Sequence, residues 1–178
     1  MLVGYEGTPS VFLSFMGNIH ETSEVHESAV VPESTKVWNY AQIRENVVIG
    51  ENCVIGRNVY IGPGVVIGDN CKIQNNALIY EPAVLGDGVF VGPAVVLTND
   101  RFPRATNSDG VLKTSGDWIA SAVVVKSGAS IGAGSVCISP ITIGSDSLIG
   151  AGSVVTRDVP DGAVAFGNPA RIQPANNS

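Results

Sequence analysis

Two side chains with hydrogen-bond-accepting oxygens, Glu81 and Asn99, lie eighteen positions apart in the sequence. A carboxylate can accept a proton, and an amide oxygen can accept a hydrogen bond from an amine. Asn99 also begins a segment that carries Asp100, Arg101 and Arg104. Arginine side chains bind phosphate or carboxylate groups, although charges in a loop are often simply solvated. These residues form a candidate site if the fold brings Glu81 and Asn99 together.

A six-residue repeat decides how the chain positions these side chains. Between Val25 and Val159 an aliphatic residue recurs nineteen times in a six-residue register, which is interrupted once. Turn-type residues and a small residue follow each aliphatic one. A fixed period of this kind indicates a repeat architecture. The repeated residues are Val25, Val31, Val37, Ile43, Ile49, Ile55, Ile61, Ile67, Ile73, Ile79, Leu85, Val91, Ile119, Val125, Ile131, Cys137, Ile143, Ile149 and Val155.

The repeat predicts an all-β fold, a parallel β-helix in which three hexads, or eighteen residues, form one triangular coil. The aliphatic residue points inward, and the small residue at the fifth position packs at the corner. The fourth position requires a positive φ, which glycine and asparagine tolerate best. We therefore assign its asparagines to the scaffold and not to function. The residues at this position include Asn46, Asn52, Asn58, Gly64, Asn70, Asn76 and Gly88.

The interruption, residues 98–118, is predicted to be a functional loop, because long loops that leave a rigid scaffold usually carry function. The repeat is predicted to resume at Ile119. The eighteen-residue period places Glu81 directly beneath Asn99, at the corner where the loop departs. Pro82 occupies a fourth position that its fixed φ does not fit, so the coil must deform there. Departures from a scaffold rule cluster at functional sites, which strengthens this corner as a candidate.

The length of 178 residues suits one domain, and the low charged and aromatic content suits a solenoid. We divide the chain into an extension and lead-in over residues 1–24, a β-helix domain over 25–172 and a polar tail over 173–178. The sequence contains no run of eighteen consecutive apolar residues, so no membrane span is expected. The first fifteen residues do not resemble a secretory signal, so a cytoplasmic location is expected.

Cysteine and charge patterns narrow the function further. Cys53 and Cys71 should stack on neighbouring coils, where reduced buried thiols are favoured over a conceivable disulfide. Residues 1–97 contain ten acids and four bases, whereas residues 98–178 contain six of each. The C-terminal half is therefore the better partner for an anionic ligand. No basic stripe suggests nucleic-acid binding.

The hexad periodicity resembles that of the hexapeptide-repeat acyltransferases over roughly three quarters of the chain. This resemblance implies a left-handed β-helix, in contrast to the usual right-handed crossover. The segments 149–160 and 167–171 resemble the closing part of many of these enzymes. Met16 and the four residues after it resemble their usual beginning, so residues 1–15 are interpreted as an extension, a tag remnant or an upstream start. Fold alone does not fix function.

The positions of the histidines favour an amine as the acceptor. O-acetylating members of this superfamily use a histidine base, but His20 and His26 both lie at the start of the repeat. An amine with a pKa of about 8 is partly neutral at physiological pH and can attack a thioester directly. The enzyme then orients the amine and stabilises the oxyanion. With only two histidines, the metal site of the carbonic anhydrases that share this fold is not expected, and no metal is predicted.

Residues 91–105 closely resemble a segment of the nucleotide-linked aminosugar N-acetyltransferases, and so do residues 74–76 and 80–81. Those enzymes acetylate the 3-amino group of UDP-linked 2,3-diaminoglucuronate or of dTDP-3-amino-3,6-dideoxyhexoses. The resemblance implies that Asn99 contacts the reacting amino group. The chemistry and position of Glu81 predict a second catalytic residue that accepts a proton or a hydrogen bond. The predicted substrate-binding residues are Tyr80, Asn75, Asp100, Arg101 and Arg104.

The resemblance also implies acetyl-CoA as co-substrate, bound along the C-terminal coils, and a homotrimer with active sites in the clefts between neighbouring prisms. Arg157 and Arg171 would face the CoA phosphates, although both could equally be solvated. The small residues beside the pantetheine could equally be ordinary hexad residues. The predicted cofactor-binding residues are Gly134, Ala151, Gly152, Arg157, Pro169 and Arg171.

The sequence thus predicts a trimeric N-acetyltransferase of a nucleotide-linked aminosugar in cell-surface polysaccharide precursor synthesis. An O-acetyltransferase of a sugar or small alcohol is the first alternative, with Glu81 as the only obvious base. A non-catalytic β-helix assembly subunit is the second. The base (uracil or thymine), the sugar carbon that bears the amine, a carboxylate at C6 and the acyl-chain length stay open.

Overall fold

Each hexad forms one short strand, and the described residues contain strands and turns but no helix. The computed structural model describes residues 15, 16 and 18–174. Its strands are β1 (Phe15–Met16), β2 (Ile19–His20), β3 (Glu24–Val25), β4 (Lys36–Val37), β5 (Gln42–Ile43), β6 (Val48–Ile49), β7 (Val54–Ile55), β8 (Tyr60–Ile61), β9 (Val66–Ile67), β10 (Lys72–Ile73) and β11 (Leu78–Ile79). The remainder are β12 (Val84–Leu85), β13 (Phe90–Val91), β14 (Val96–Leu97), β15 (Val123–Val125), β16 (Ser130–Ile131), β17 (Val136–Cys137), β18 (Ile141–Ile143), β19 (Leu148–Ile149), β20 (Val154–Val155), β21 (Val164–Gly167) and β22 (Ala170–Ile172).

The strands assemble into three sheets, which form the three faces of the β-helix. Sheet 1 has ten strands in the order β1-β2-β4-β7-β10-β13-β16-β19-β21-β22, and it is antiparallel only at its two ends. Sheet 2 has seven strands in the order β20-β17-β14-β11-β8-β5-β3, and sheet 3 has five in the order β18-β15-β12-β9-β6. Ile73 pairs with Ile55 on one side and with Val91 on the other, so consecutive coils are eighteen residues apart. The predicted parallel β-helix is confirmed.

One continuous apolar core fills the β-helix. Lys72 of strand β10 is exposed, whereas the adjacent Ile73 is 0% exposed. The same alternation in every coil lines up the repeated aliphatic residues and the small fifth-position residues inside. The positive φ predicted for the fourth position is also present, for example at Asn46 and Asn76. The largest buried side chains are Ile43, Ile49, Ile55, Ile61, Ile67, Ile73, Ile79, Leu85, Leu97, Ile131, Ile143 and Ile149.

The repeat resumes later than the sequence predicted. Leu85 pairs with Val125, forty residues further along instead of eighteen. Ile119 is 94% exposed and does not resume the repeat, because it belongs to no strand and points away from the core. Its distance of six residues from Val125 imitates the period, but alanine and serine follow it where turn residues should stand. The excursion from the coil therefore runs through residues 98–122.

Pro82 changes its turn and leaves the neighbouring strands in register. The peptide bond between Glu81 and Pro82 is cis. Ile79, before the turn, pairs with Ile61 and Leu97, and Leu85, after it, pairs with Ile67. The deformation expected at Pro82 is thus confined to the turn itself.

The three cysteines are free and buried, as predicted. The backbone N–H of Cys71 donates to Sγ of Cys53 at 3.4 Å, so the two residues stack on adjacent coils. Burial raises the pKa of the Cys137 thiol to about 12, which keeps it protonated. These thiols are part of the packed interior.

The ends of the chain carry expectations that lie largely outside the described residues. The proposed extension over residues 1–15 is described only at Phe15, and the tail over 173–178 only at Gln173 and Pro174. Within the described part of the chain there is no helix with the length and apolar character needed to cross a membrane.

Ile73→Ala tests the core register. We expect the substitution to lower the free energy of unfolding by about 2–5 kcal/mol, because it removes buried methyl groups and leaves a cavity. Lys72→Ala, on the outer side of the same strand, is the matched control and should change stability by less than about 0.5 kcal/mol. Chemical denaturation of both variants measures the difference. Equal losses would contradict the inward placement of Ile73.

Candidate functional site

Two corners of the β-helix carry the residues that the sequence analysis singled out. The turn between sheets 2 and 3, here the loop corner, places corresponding residues of consecutive coils in one column, namely Glu45, Pro63, Glu81 and Asn99. The turn between sheets 1 and 2, here the amide corner, does the same for Asn39, Arg57, Asn75 and Pro93. The described structure places Glu81 directly beneath Asn99, as the period predicted, because Ile79 pairs with Leu97.

Acids and amides at this turn position usually cap the coil beneath. Oδ1 of Asp69 accepts the backbone N–H of Glu51 at 2.8 Å. Oδ1 of Asp87 accepts the N–H of Asp69 at 2.8 Å. Oδ1 of Asn75 likewise accepts the N–H of Arg57 at 3.0 Å. Each donor lies eighteen residues earlier in the chain, so these side chains connect one turn to the next.

A glycine in the lower coil makes room for the capping oxygen. A Cβ added to Gly68 would lie 2.3 Å from Oδ1 of Asp87, which is too close for any real atom. A Cβ added to Gly62 would lie 2.4 Å from Oε2 of Glu81. The Glu81 oxygen therefore occupies the position that a capping oxygen occupies in the other turns.

The cap fails at Glu81 because the residue beneath it is Pro63. Proline has no backbone N–H to donate. Oε2 of Glu81 is consequently buried without a hydrogen-bond partner among the described residues. Buried polar atoms are nearly always paired in folded proteins, and each unpaired one requires an explanation. The scaffold thus holds this half-buried carboxylate in place without using it as a cap.

Two tyrosines border this carboxylate. The rings of Tyr60 and Tyr80 lie 5.3 Å apart at an angle of 49°. Burial, with a further contribution from the negative charge of Glu81, raises the pKa of the Tyr60 hydroxyl. That hydroxyl stays protonated near neutral pH and can donate a hydrogen bond.

Hydrogen bonds fasten the base of the loop to the coil above it. The backbone N–H of Ser121 donates to the carbonyl oxygen of Asn99 at 2.9 Å. The hydroxyl groups of Ser121 and Ser139 lie 2.9 Å apart, and the N–H of Ser139 donates to Oγ1 of Thr98 at 3.1 Å. The half-buried Asn99 amide makes no hydrogen bond to any described residue. The Asn99 backbone is thus held by a hydrogen bond, while the Asn99 side-chain amide stays available to a ligand.

The outer part of the loop is a small hairpin. Thr106 bridges Leu112 in antiparallel fashion, and the N–H of Lys113 donates to the carbonyl of Ala105 at 2.9 Å. Further along, Asp117 accepts the backbone N–H and the hydroxyl of Thr114. These bonds hold the pKa of the Asp117 carboxyl below its usual range. The loop therefore has internal order of its own.

The outer surface of the loop is exposed and partly apolar. Phe102 is 74% exposed and Leu112 is 71% exposed. Arg101 and Arg104 are also exposed, and Nη1 of Arg104 donates to its neighbour's carbonyl oxygen. Neither arginine forms an ion pair within the described part of the chain, so both remain available to an anion.

The predicted substrate-binding residues fall into two groups. Tyr80 and Asp100 lie at the loop corner with Glu81 and Asn99. Asn75 lies at the amide corner, at the other end of strand β11 of sheet 2. A single chain therefore does not bring Asn75 together with the carboxylate and the amide.

The predicted cofactor residues are also divided. Gly134 and Gly152 lie at the amide corner with φ values of 68° and 69°, so the turn alone accounts for glycine there. Ala151 is exposed beside them. Pro169 lies in the tight connection between β21 and β22, and its preceding peptide bond is cis.

Arg157 and Arg171 do come together in the structure. Both line a cavity of about 160 Å³ at the C-terminal end of the β-helix, beside the last core residues Val155 and Ala165. Both arginines are exposed, so they can meet an anion from solvent.

Gly62, Pro63 and Tyr60 were not among the residues predicted from the sequence. The period could have identified two of them, because Pro63 stands eighteen residues before Glu81 and Gly62 directly precedes Pro63.

No group of three or more His, Cys, Asp or Glu side chains in the described residues is arranged to hold a metal ion.

Two family models match the repeat. The one described as the hexapeptide repeat of succinyl-transferase matches residues 46–81 and 123–157. The one described as the bacterial transferase hexapeptide, six repeats, matches residues 28–63 and 64–99. Together they cover more than half of the chain and leave out the loop.

One curated protein matches a short part of the chain. The dTDP-3-amino-3,6-dideoxy-alpha-D-galactopyranose 3-N-acetyltransferase of Aneurinibacillus thermoaerophilus is 48% identical over 50 residues. The match covers 28% of this chain and 26% of that protein. The matched segment thus spans only about a quarter of the length of this relative.

Solved structures share the architecture. The acetyltransferase domain of PglB from Neisseria gonorrhoeae, in complex with acetyl coenzyme A, has a TM-score of 0.60 and 22% identity over 87% of this chain and 56% of that chain. A hexapeptide-repeat acetyltransferase from Vibrio cholerae, complexed with acetyl coenzyme A, has a TM-score of 0.57 and 25% identity over 73% of this chain and 71% of that chain. At 22% identity, the likeness to the PglB domain shows the fold alone.

Pro63→Ala tests the origin of the unpaired oxygen. The new backbone N–H should donate to Glu81, and this gain should exceed the stability lost because the unfolded chain becomes more flexible without proline. The free energy of unfolding should therefore rise by about 0.5–2 kcal/mol. In a Glu81→Ala background the same change should stabilise nothing, because the acceptor is absent. A double-mutant cycle by denaturation measures the coupling. Equal effects in both backgrounds would show that Pro63 does not control Glu81.

Proposed function

Because the chain belongs to the hexapeptide-repeat transferases, we propose that it is an acetyl-CoA-dependent N-acetyltransferase that acts on the amino group of a nucleotide-linked sugar. The observation that carries the proposal is the half-buried Glu81 carboxylate beneath Asn99, at the base of the loop, whose Oε2 has no hydrogen-bond partner among the described residues. Both groups accept hydrogen bonds, and neither is consumed by the scaffold. A neutral amine, which has two N–H donors, matches such a pair.

The relatives support this choice of acceptor. The Aneurinibacillus thermoaerophilus protein is, by its name, an N-acetyltransferase of a dTDP-linked 3-amino sugar, and the Vibrio cholerae structure contains acetyl coenzyme A. His20 lies in the lead-in, and His26 lies in the first coil, three coils below Glu81. An amine acceptor needs no histidine base, which agrees with that placement.

In the proposed reaction the amine nitrogen attacks the thioester carbonyl carbon directly. The N–C bond forms, the carbonyl electrons move to oxygen, and their return breaks the C–S bond. The CoA thiolate leaves and, directly or through solvent, takes the proton that the nitrogen loses. Asn99 and Glu81 hold the amine by accepting hydrogen bonds from its N–H groups, which fixes the direction of attack. No covalent enzyme intermediate is required.

The upper coils offer acetyl-CoA a set of binding partners. Arg157 and Arg171 around the terminal cavity offer two cations to its phosphates. Gly134 and Gly152 have open space where a side chain would project, so a ligand can pass close to the backbone. The positive φ of the hexad turn alone accounts for these two glycines, and the ligand would use only the open space beside them.

We further propose that the active site forms between neighbouring copies in a homotrimer. Within one chain, sheet 2 separates Glu81 and Asn99 at the loop corner from Asn75 and Ala151 at the amide corner. A neighbouring copy that places its amide corner against the loop corner would complete the set. The exposed apolar loop residues Phe102 and Leu112 suit burial against such a neighbour. The cytoplasmic location and the role in polysaccharide precursor synthesis stay predictions.

Removing either acceptor tests the catalytic assignment. We expect Asn99→Ala and Glu81→Ala each to lower kcat for the best aminosugar by about 10–100-fold, because the amine loses a partner that orients it. The assay follows CoA release with UDP- and dTDP-linked aminosugars beside their hydroxyl counterparts. Glu45→Ala is the matched control, since Glu45 occupies the same turn position two coils below and pairs with Arg44.

Three outcomes would count against the assignment. A rate for Asn99→Ala close to that of the unaltered protein would remove Asn99 from the mechanism. Turnover with hydroxyl acceptors would favour an O-acetyltransferase with Glu81 as its base. A failure to bind acetyl-CoA would favour a structural β-helix.

Mixed assemblies test the site between copies. Asn99→Ala disables the loop corner, and Ala151→Trp at an exposed position blocks the path along the amide corner. If each site uses one corner from each of two copies, trimers reassembled from equal amounts should recover about a quarter of full activity, the random fraction of intact pairs. Each variant alone should show only a low residual rate. No recovery in verified mixed trimers would place the whole site within one chain.

A further inference from the structure

A second concave site lies at the amide corner of the lower coils, away from the carboxylate and the loop. Its cavity has a volume of about 320 Å³. That size is at the lower end of the range for small-molecule pockets. The residues that line it are Trp38, Asn39, Val54, Gly56, Arg57, Gln74 and Asn75. An indole, a guanidinium and three amides thus share one cavity without an acid in its lining.

Positive charge concentrates around this cavity. The first 97 residues contain ten acids and only four bases, Lys36, Arg44, Arg57 and Lys72. Arg57 lines the cavity, and Lys36 and Lys72 flank the lining residue Val54 on the two adjacent strands. Three of the four bases of a strongly acidic half therefore surround one site. Such a site attracts an anion.

Aromatic rings hold two of these cations at the site. Nζ of Lys36 lies 5.8 Å from the centre of the Trp38 ring. Cζ of Arg57 lies 5.5 Å from the centre of the Tyr40 ring, and Tyr40 is 55% exposed. Cations and aromatic faces in this arrangement suit a ligand that has both negative charge and a flat ring.

The amides add directional groups. Asn75 uses its Oδ1 to accept the N–H of Arg57, which fixes the side chain and leaves its two N–H donors. Gln74 and Asn39 make no side-chain hydrogen bond to any described residue, so their amides are free to donate and accept. Gly56 allows Asn75 to pack closely against it, because a Cβ there would lie 2.7 Å from Oδ1 of Asn75.

We propose that this cavity binds the nucleoside diphosphate of the acceptor substrate, an inference that rests on the proposed function. The base stacks against Trp38, the amides of Gln74 and Asn75 contact its polar edge, and Arg57 with the two lysines contacts the diphosphate. A single ligand with a planar base and two phosphates would contact all of these groups. A phosphate alone would leave the indole and the amides without a role.

CoA also contains a nucleoside diphosphate, and the position of the cavity distinguishes the two. At about 4.8 Å per coil, Arg57 lies roughly 19 Å below Ala151, where the resemblance places the pantetheine. Asn75 belongs to the same coil as Glu81. The cavity thus leads to the level of the acceptor amine from below, whereas the cofactor residues approach it from above. We assign the cavity to the sugar nucleotide.

Fluorescence of Trp38 tests the proposal without any turnover. The chain has two tryptophans, so a Trp118→Phe background leaves Trp38 as the only one. We expect saturable quenching by UDP or dTDP, and none by pyrophosphate or CoA at the same concentration. Arg57→Ala and Gln74→Ala should each weaken nucleotide binding by about tenfold. Arg44→Ala, a half-exposed arginine at the other corner, is the matched control and should stay within about twofold.

Kinetics separate this inference from the proposed function. With the best aminosugar, Trp38→Ala should raise KM for the sugar nucleotide about tenfold and leave kcat and the KM for acetyl-CoA nearly unchanged. Acetyl transfer with an unaltered KM in Trp38→Ala would overturn the nucleotide site and leave the function intact. Quenching by nucleotide without transfer to any aminosugar would sustain the site and overturn the function. Equal quenching by pyrophosphate or CoA would also overturn the site.

Discussion

Parallel pairing of residues eighteen positions apart is the constraint on which the structure depends. Each two-residue strand gains its backbone partners from the coils above and below, and each inward aliphatic side chain packs on its equivalents, as Ile61 does between Ile43 and Ile79. Such short strands have little stability alone, so the stack is stabilised as a whole. A residue's height and face therefore follow from its number in the repeat, except beyond the loop.

A scaffold this regular restricts chemistry to places where one turn departs from the rule. Acids such as Asp69 and Asp87 are consumed in capping the coil beneath them. Glu81 occupies the same position, but Pro63 gives it no N–H, so one buried oxygen has no partner among the described residues. The proline in the lower coil thus leaves this carboxylate outside the capping pattern of the scaffold. The stability of the whole stack offsets the free-energy cost of the unpaired oxygen.

The corners also explain why one chain looks incomplete. Sheet 2 separates the loop corner, with Glu81 and Asn99, from the amide corner, with Asn75 and the cavity beside Trp38. A rigid triangular prism cannot fold its corners together, so only another copy can place them face to face. The proposed trimer and the proposed nucleotide site both follow from this geometry.

The coil, the inward column and the stacking of Glu81 under Asn99 all follow from the sequence, because a strict period converts position along the chain into position in space. What interrupts the period depends on contacts that form only in the folded chain. Ile119 lies six residues before Val125 yet is exposed, since a residue joins the core only through a strand that pairs with neighbouring coils. The unpaired oxygen of Glu81 also required the structure, because it depends on a proline one coil below. Contacts between coils, and not spacing alone, determine which polar atoms remain free.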